Sequence, residues 1–172
     1  VSVGASLDAS GNRAELMRKG TDWKQTVENR QRMMEEVPHV DFYVSSTVSS
    51  MNVLHVMDFH KEWTELGLLK AKDWNINICQ SPDWYRADIF PDWFKEKVIK
   101  PRYENHIAWL EPQDKLERAT NGYKAMLSFI MSNNPLKNNE IFEEFKKQTK
   151  KLDDVRNENF WEVFSELKLL ND

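Results

Sequence analysis

Alternating apolar and polar side chains open the chain and predict a β-strand. The apolar positions, separated by small or polar residues, are Val1, Val3, Ala5 and Leu7. A period of two is the spacing of a strand in a sheet. The run ends in Asp8-Ala-Ser-Gly, which favours a turn, and Glu15 and Arg18 follow soon after. We therefore expect polar groups at the strand's carboxyl end, where ligands bind in α/β proteins.

Two further strands and two intervening helices follow from the pattern downstream. The expected elements are a helix over 22–36, a strand over 40–48, a helix over 53–66 and a strand over 74–79. Asp22 or Thr21 is a suitable cap for the first helix, and Gly67 ends the second. Strands separated by helices at this spacing pair in parallel through right-handed crossovers. The fold class is therefore α/β, with a three-stranded parallel sheet.

After the third strand and an irregular loop, the pattern becomes helical and stays so. Helices are expected over 92–109, with a kink or break near Pro101, and over 116–131, 141–152 and 160–170. The run 143–151 alternates acidic and basic residues at helical spacing, which is typical of a solvated face with ion pairs. We place a boundary between a β/α region over 1–111 and a helical tail over 112–172.

Composition excludes several classes of protein. The 172 residues are 40% hydrophobic and 30% charged, which indicates a globular chain, and the net charge of -4 gives no general attraction to nucleic acid. No apolar run approaches the ~18 residues of a membrane span, so we expect a cytoplasmic protein that binds no membrane. The single cysteine, Cys79, excludes an internal disulfide, and we expect it buried on a strand.

Several motifs resemble the middle of radical S-adenosylmethionine (radical SAM) enzymes. In that family the fourth strand often ends in Ser-x-Asp followed by an Arg-Gly segment, and here Ser6-Leu-Asp8 precedes Arg18-Lys-Gly20. The fifth strand commonly ends in Thr-x-x-x-x-Asn, matched by Thr47 and Asn52. The part of the tail over 152–167 looks like the end of family members with a "twitch" accessory region.

The resemblance implies a fold and a cofactor. It implies the three-stranded half of a partial TIM-like (β/α)6 barrel, followed by an all-helical C-terminal tail. It also implies S-adenosylmethionine as cofactor, bound by Ser6, Asp8, Arg18, Thr47 and Asn52. The residues themselves leave alternatives open, namely an Asx-turn at Asp8, a pair between Arg18 and Glu15, and a helix cap at Asn52.

The family's three-cysteine motif, which holds an iron–sulfur cluster, is absent from this chain. One thiolate does not hold such a cluster in the usual way. The resemblance therefore implies the C-terminal, catalytically incomplete portion of an enzyme whose full-length parent carries a four-iron, four-sulfur cluster. That parent would cleave S-adenosylmethionine reductively and abstract a hydrogen atom from an unknown substrate. The 172 residues alone are expected to hold no cluster and to be inactive.

Five residues are candidates for contact with the substrate. Asn75 and Asn77 alternate along the third strand and share one face, which lines the lumen if that face points into a barrel. Trp84, Tyr85 and Arg86 follow the same strand in a loop. They suit contact with a peptide or sugar, or else a hydrophobic latch onto the helical tail.

The histidines indicate no metal site. His55 and His60 are five residues apart, not the four of a zinc-binding helix, and a surface or half-buried position is expected for both. A packing role is expected for His106. The rival to the enzyme hypothesis is a non-enzymatic α/β interaction module. A half-barrel leaves unpaired sheet edges that invite pairing with a second copy, so we expect a homodimer.

Overall fold

The computed structural model of the chain describes residues 1–132 and 135–171. Its strands are β1 (Ser2–Ala5), β2 (Asp41–Val48) and β3 (Trp74–Ile78). Its helices are α1 (Gly11–Met17), α2 (Trp23–Glu36), α3 (His55–Glu65), α4 (Asp92–Phe94), α5 (Lys100–Leu110), α6 (Arg118–Met131), α7 (Pro135–Arg156) and α8 (Phe160–Val163). Short 3-10 segments cover Asp83–Tyr85 and Ser165–Leu170, and a π-helical turn covers Lys95–Ile99.

The three strands form one parallel sheet in the order β1-β2-β3, which confirms the predicted α/β class and pairing. In the register, Gly4 lies opposite Tyr43, and Thr47 lies opposite Asn77. β1 is shorter than its alternation predicted, and it is an edge strand. Val1 is 93% exposed and Val3 is 38% exposed. The apolar pattern of this strand therefore does not mark a buried position within the sheet.

One face of the sheet is covered and the other is open. Val44, Val48 and Trp74 are fully buried on the covered face, where Gly122 of α6 packs closely against Ile76. The alternate residues of β2 and β3 lie on the opposite side, here called the open face: Tyr43, Ser45, Thr47, Asn75 and Asn77. The two asparagines are exposed and the other three side chains are half-buried.

The helix predicted over 22–36 is confirmed, including its cap. The Asp22 carboxylate accepts a hydrogen bond from the Gln25 backbone N–H at 2.9 Å, which satisfies one of the unpaired donors of the first turn. Trp23 then packs against Phe59 and Trp63 of α3, with ring centroids 5.5 Å away in each case. This aromatic cluster fixes α2 against α3 beneath the covered face.

The long helix predicted over 92–109 is interrupted by a π-helical turn. The turn over Lys95–Ile99 directly precedes Pro101, which lies in the first turn of α5. Proline has no N–H to donate into the preceding turn, and a wider turn is one way for a helix to accommodate it. The predicted break near Pro101 is therefore present as a local widening of the helix.

The helical tail differs in its boundaries from the prediction. α7 extends well beyond the predicted range of 141–152 at both ends, and the single helix predicted over 160–170 is α8 followed by a 3-10 segment. The predicted ion pairs along the charged run are confirmed, for example between Lys147 and Glu144. No helix among the described residues is both long and apolar enough to cross a membrane.

The expectation that His55 and His60 lie at the surface or half-buried is wrong, because both are buried. His60 Nε2 donates to the Ala71 carbonyl at 2.8 Å, so His60 Nδ1 is an acceptor that faces His106 Nε2 at 3.1 Å and the Tyr123 hydroxyl at 3.2 Å. These groups join α3, α5 and α6. The packing role expected for His106 is therefore combined with a buried polar contact.

Acid should destabilise the fold through these histidines. Burial lowers the pKa of His60 and His106 to about 3, and that of His55 to about 4, from 6.5. As the pH falls, these histidines therefore become protonated in the unfolded chain before they do in the folded chain. The stabilising effect of the neutral rings is complete above about pH 6.5 and is lost as the pH falls toward 3, by about 1.4 kcal/mol per histidine and pH unit. Urea unfolding at pH 7.5, 6 and 5 measures this loss.

Two variants distinguish the contribution of the buried histidines to the pH dependence of the unfolding free energy from that of other groups. His106→Phe keeps an aromatic ring in the cluster and should reduce the dependence of the unfolding free energy on pH. Asn29→Gln, on the exposed side of α2, changes no titratable group and should leave that dependence as in the unmodified chain. If the unfolding free energy depends equally on pH in all three proteins, buried His106 does not contribute to the loss of stability in acid, which would contradict the assignment.

Candidate functional site

A cluster of polar side chains lies at the carboxyl ends of β1 and β2. We call it the tip cluster: Ser6, Asp8, Arg18, Thr47 and Asn52. Asp8 is at its centre and is only 8% exposed. Its Oδ1 accepts the backbone N–H of Thr47 at 2.8 Å, and its Oδ2 accepts Nε of Arg18 at 2.8 Å. The Asp8 carboxylate therefore joins the two strand ends to the segment after α1.

Asn52 also connects the ends of the two strands. Its Nδ2 donates to the carbonyls of Asp8 at 2.7 Å and Thr47 at 3.0 Å, and its Oδ1 accepts the Ser49 N–H at 2.7 Å. Asn52 is fully buried. The alternative that it caps the following helix is wrong, since α3 begins at His55 and the side chain of Asn52 serves the strand ends instead.

Arg18 is the most accessible member of the tip cluster. Its Nη2 donates to Ser6 Oγ at 3.0 Å and pairs with Asp8, while 48% of its side chain remains exposed. The alternative partner Glu15 accepts the Trp23 backbone N–H instead. A guanidinium has five N–H donors, and Nη1 of Arg18 contacts no acceptor among the described residues. Arg18 is therefore oriented by Asp8 and still has donors for an anionic group.

The segment that carries the tip cluster is held by α3. The Ser10 backbone N–H donates to His55 Nε2 at 3.1 Å, and Ser10 Oγ donates to Glu62 at 2.7 Å. This geometry requires an unprotonated His55 Nε2. Burial first, and then the nearby Arg13 charge, lower the pKa of His55 to about 4 and so keep the ring neutral.

The end of the chain holds the same segment from the other side. Arg13 on α1 makes two hydrogen bonds to Glu166, at 3.2 and 2.8 Å, and Lys19 pairs with Glu158. Arg156 also donates to the Leu16 carbonyl at 3.3 Å. Sequence reasoning missed these contacts, because the partners are about 140–153 residues apart and no local spacing relates them. The C-terminal residues thereby help to position the tip cluster.

The open face continues from the tip cluster across the sheet. Thr47 belongs to both, since its backbone N–H binds Asp8 and its side chain lies beside Asn77 in the register. Asn77 Nδ2 donates to Ser45 Oγ at 2.9 Å. Asn75 and Asn77 therefore share the face that their alternation indicated. Sequence reasoning did not include Tyr43 and Ser45, although the same alternation along β2 would have found them.

The loop after β3 is tied to the turn after β2. The Ser50 N–H donates to the Tyr85 carbonyl at 2.9 Å, and Ser50 Oγ donates to the Trp84 carbonyl at 3.0 Å. Arg86 forms a two-point pair with buried Asp88, whose hydrogen bond raises the pKa of that guanidinium. The segment Asp83–Tyr85 contacts α7, and the Arg86 guanidinium lies 5.4 Å from the centre of the Phe129 ring on α6, which fits the alternative of a latch onto the helical tail. Neither the two aromatic residues nor Arg86 forms a hydrogen bond to the tip cluster.

Cys79 lies just after β3 and is half-buried and free, so the expectation of a buried position on the strand is wrong. Burial raises the pKa of its thiol, which therefore is not activated as a nucleophile. Within residues 1–132 and 135–171, no three His, Cys, Asp or Glu side chains are grouped in a way that could hold a metal ion. The residues present do not fit an iron–sulfur cluster.

Comparisons with protein-family models, with curated proteins and with solved structures find no match for this chain.

Removing the Asn52 amide should destabilise the fold markedly. In Asn52→Ala, the buried Asp8 carbonyl, the partly buried Thr47 carbonyl and the buried Ser49 N–H each lose a hydrogen bond, and buried polar groups cost about 1–3 kcal/mol when unsatisfied. We expect the free energy of unfolding to fall by about 2–3 kcal/mol in urea titrations. Asn29→Ala, on an exposed turn of α2, is the matched control and should change it by less than about 0.5 kcal/mol. Similar values for both variants would show that the junction does not stabilise the strand ends.

Proposed function

We propose that this chain is the cofactor-binding C-terminal portion of a radical SAM enzyme. The observation that carries the proposal is the tip cluster, which brings together Ser6, Asp8, Arg18, Thr47 and Asn52 at the carboxyl ends of adjacent parallel strands. Those are the residues to which the family resemblance assigns cofactor contacts. The carboxyl end of a parallel sheet is also where α/β enzymes bind their ligands.

The open face supports the same proposal. All-parallel sheets are normally covered on both faces, because their crossover helices pack on them. Here one face is covered, while the other carries hydroxyl and amide side chains such as Thr47 and Asn77. Those side chains suit the polar interior of a ligand-binding barrel better than contact with an apolar helix. The sheet is therefore proposed to be half of a partial barrel with the open face in its lumen.

The tip cluster fits parts of S-adenosylmethionine. The unused N–H donors of Arg18 suit the carboxylate of the methionine moiety, for which a guanidinium is a well-matched partner. Asp8 accepts bonds from the Thr47 N–H and from Arg18, and a carboxylate has about four acceptor sites, so ribose hydroxyls find unused sites. Both groups are already fixed by their neighbours, which reduces the entropy cost of binding.

The cofactor and its cluster supply the radical chemistry when bound, whereas these residues bind and orient. A reductive cleavage needs an electron source, and Cys79 alone does not provide the ligands for one. The proposed role of this portion is therefore to hold the nucleoside and amino-acid groups of the cofactor and to shape the substrate cavity. No turnover is expected from this chain by itself.

Binding of S-adenosylmethionine to this chain tests the proposal directly. In amide NMR spectra, about 1 mM cofactor should shift resonances of residues 6–18 and 47–52. Arg18→Gln and Asp8→Asn should weaken binding by roughly tenfold each, since each removes a charged hydrogen-bonding partner. Arg102→Gln is the matched control, because Arg102 pairs with Asp58 at 2.8 Å on another part of the surface and should not affect binding.

Shifts that are absent, or that persist unchanged in Arg18→Gln and Asp8→Asn, would contradict the cofactor assignment. Shifts that map elsewhere in the chain would do the same. S-Adenosylhomocysteine, which keeps the ribose and the carboxylate, should bind through the same residues.

A second candidate function, self-association through the sheet edge, rests on β1. This strand has no partner among the described residues on its outer side, and its side chains Val1 and Val3 are exposed. An uncovered strand edge is a template for pairing with another chain. The homodimer expected from the sequence is therefore proposed to form through β1.

Analytical ultracentrifugation tests the dimer. The unmodified chain should sediment as a concentration-dependent dimer, and Val3→Lys should shift it to monomer, because a charged side chain on an edge strand opposes pairing. Val155→Lys is the control, since Val155 is 85% exposed on α7, far along the chain from β1. A monomer at every concentration, or equal dissociation in both variants, would refute pairing through this edge.

A further inference from the structure

The open face is uncharged between two charged ends. At the carboxyl end lies the tip cluster with Asp8 and Arg18. At the amino end, Tyr43 and Asn75 border a cavity of about 410 Å³. The charged residues that also line that cavity are Asp41, Lys70, Lys72, Asp73 and Arg118. The middle of the face carries the hydroxyl and amide groups of Ser45, Thr47 and Asn77. A ligand there meets neutral donors and acceptors.

Tyr43 is placed on this face by Gly4. A side chain at position 4 would put its Cβ 2.5 Å from Cζ and 2.6 Å from the hydroxyl oxygen of Tyr43, so the phenol occupies the space that glycine leaves. Gly4 and Tyr43 are register partners in the sheet. The Tyr43 hydroxyl forms no hydrogen bond to a described residue, unlike those of Tyr103 and Tyr123. It is therefore available to a ligand.

The hydrogen bond between Asn77 and Ser45 determines what those two side chains offer. Because Asn77 donates through Nδ2 to Ser45 Oγ, its Oδ1 remains an acceptor and the Ser45 O–H remains a donor. The Thr47 hydroxyl and the Asn75 amide have no hydrogen-bond partner in the part of the chain that the structure describes. The face thus presents donors and acceptors close together.

We propose that the open face binds a neutral glycosyl group of the substrate. The inference rests on the proposed function, since it assigns the substrate class of the same barrel. Sugar hydroxyls both donate and accept, as do the hydroxyl and amide side chains here, and an aromatic ring beside them suits the C–H surface of a sugar. A charged substrate would lose hydration there without a counter-ion in the middle of the face. An extended peptide would instead pair with a strand edge.

Amide NMR with matched sugars tests this inference. The probes are methyl glycosides of glucose, galactose, mannose and N-acetylglucosamine at about 50 mM, with glucose 6-phosphate and glucosamine as charged analogues. At least one neutral glycoside should shift the resonances of residues 43–47 and 75–77. It should bind roughly tenfold more tightly than either charged analogue.

Three variants locate the site. Asn77→Ala and Tyr43→Phe should each weaken glycoside binding by about tenfold or more, since each removes a group that bonds a hydroxyl. Asn29→Ala, an exposed asparagine on α2, is the control and should bind as the unmodified chain does. No shift with any neutral glycoside, tighter binding of the phosphate ester, or unchanged binding in both variants would overturn the proposal.

The same samples separate this inference from the proposed function. S-Adenosylmethionine shifts that persist while no glycoside binds would overturn the sugar site and leave the cofactor proposal standing. Glycoside binding without any response to S-adenosylmethionine would support the sugar site and overturn the cofactor assignment.

Discussion

The arrangement at the carboxyl ends of the strands depends on the carboxylate of Asp8. It is nearly buried, and a buried charge is stable only when it is paired and hydrogen-bonded. The Thr47 N–H fixes one oxygen and Arg18 the other, so one side chain sets both the junction of β1 with β2 and the path of the chain after α1. The Asn52 amide then donates hydrogen bonds to the backbone carbonyls of Asp8 and Thr47. The hydrogen bonds that fix the candidate site are therefore also the ones that hold the strand ends together.

The two faces of the sheet contribute differently to stability, and only the open face is proposed to bind a ligand. Burial of Val44, Val48 and Trp74 against the helices supplies the apolar contribution to stability, which scales with the area removed from water. The open face contributes little of that kind, because its side chains are polar. A substitution at Asn77 is therefore expected to have little effect on folding, whereas one at Asn52 should destabilise the strand ends. This separation makes the open face a practical place for mutagenesis.

The strands follow from local patterns, and this is why the sequence predicts them, whereas the set of residues in the tip cluster comes from the resemblance to radical SAM enzymes. Alternation places Asn75 and Asn77 on one face, and the convergence of parallel strands brings Asp8 near Thr47. What the sequence does not reveal depends on distant partners. His60 is buried because rings from distant parts of the chain pack on it, Trp74 of β3 at 4.4 Å and Tyr123 of α6 at 5.6 Å. The edge position of β1 likewise depends on which strands surround it. The start of α1 was missed for a local reason, since Gly11 is a poor helix former and its φ of 58° is positive.

The existing ion pair between Arg18 and Asp8 does not prevent the proposed binding of a ligand carboxylate by Arg18. About half of the Arg18 side chain is in water, whereas Asp8 is nearly buried, so the pair compensates a buried charge and is not a weak surface pair. Nη1 of Arg18 takes no part in it, so that nitrogen can bind a ligand carboxylate while Nε stays on Asp8 and Nη2 on Ser6. Asp8 stays in place, since the Thr47 N–H holds one carboxylate oxygen and Nε of Arg18 the other. An exposed guanidinium oriented by a fixed carboxylate has lost much of its rotational freedom before a ligand arrives, which favours binding.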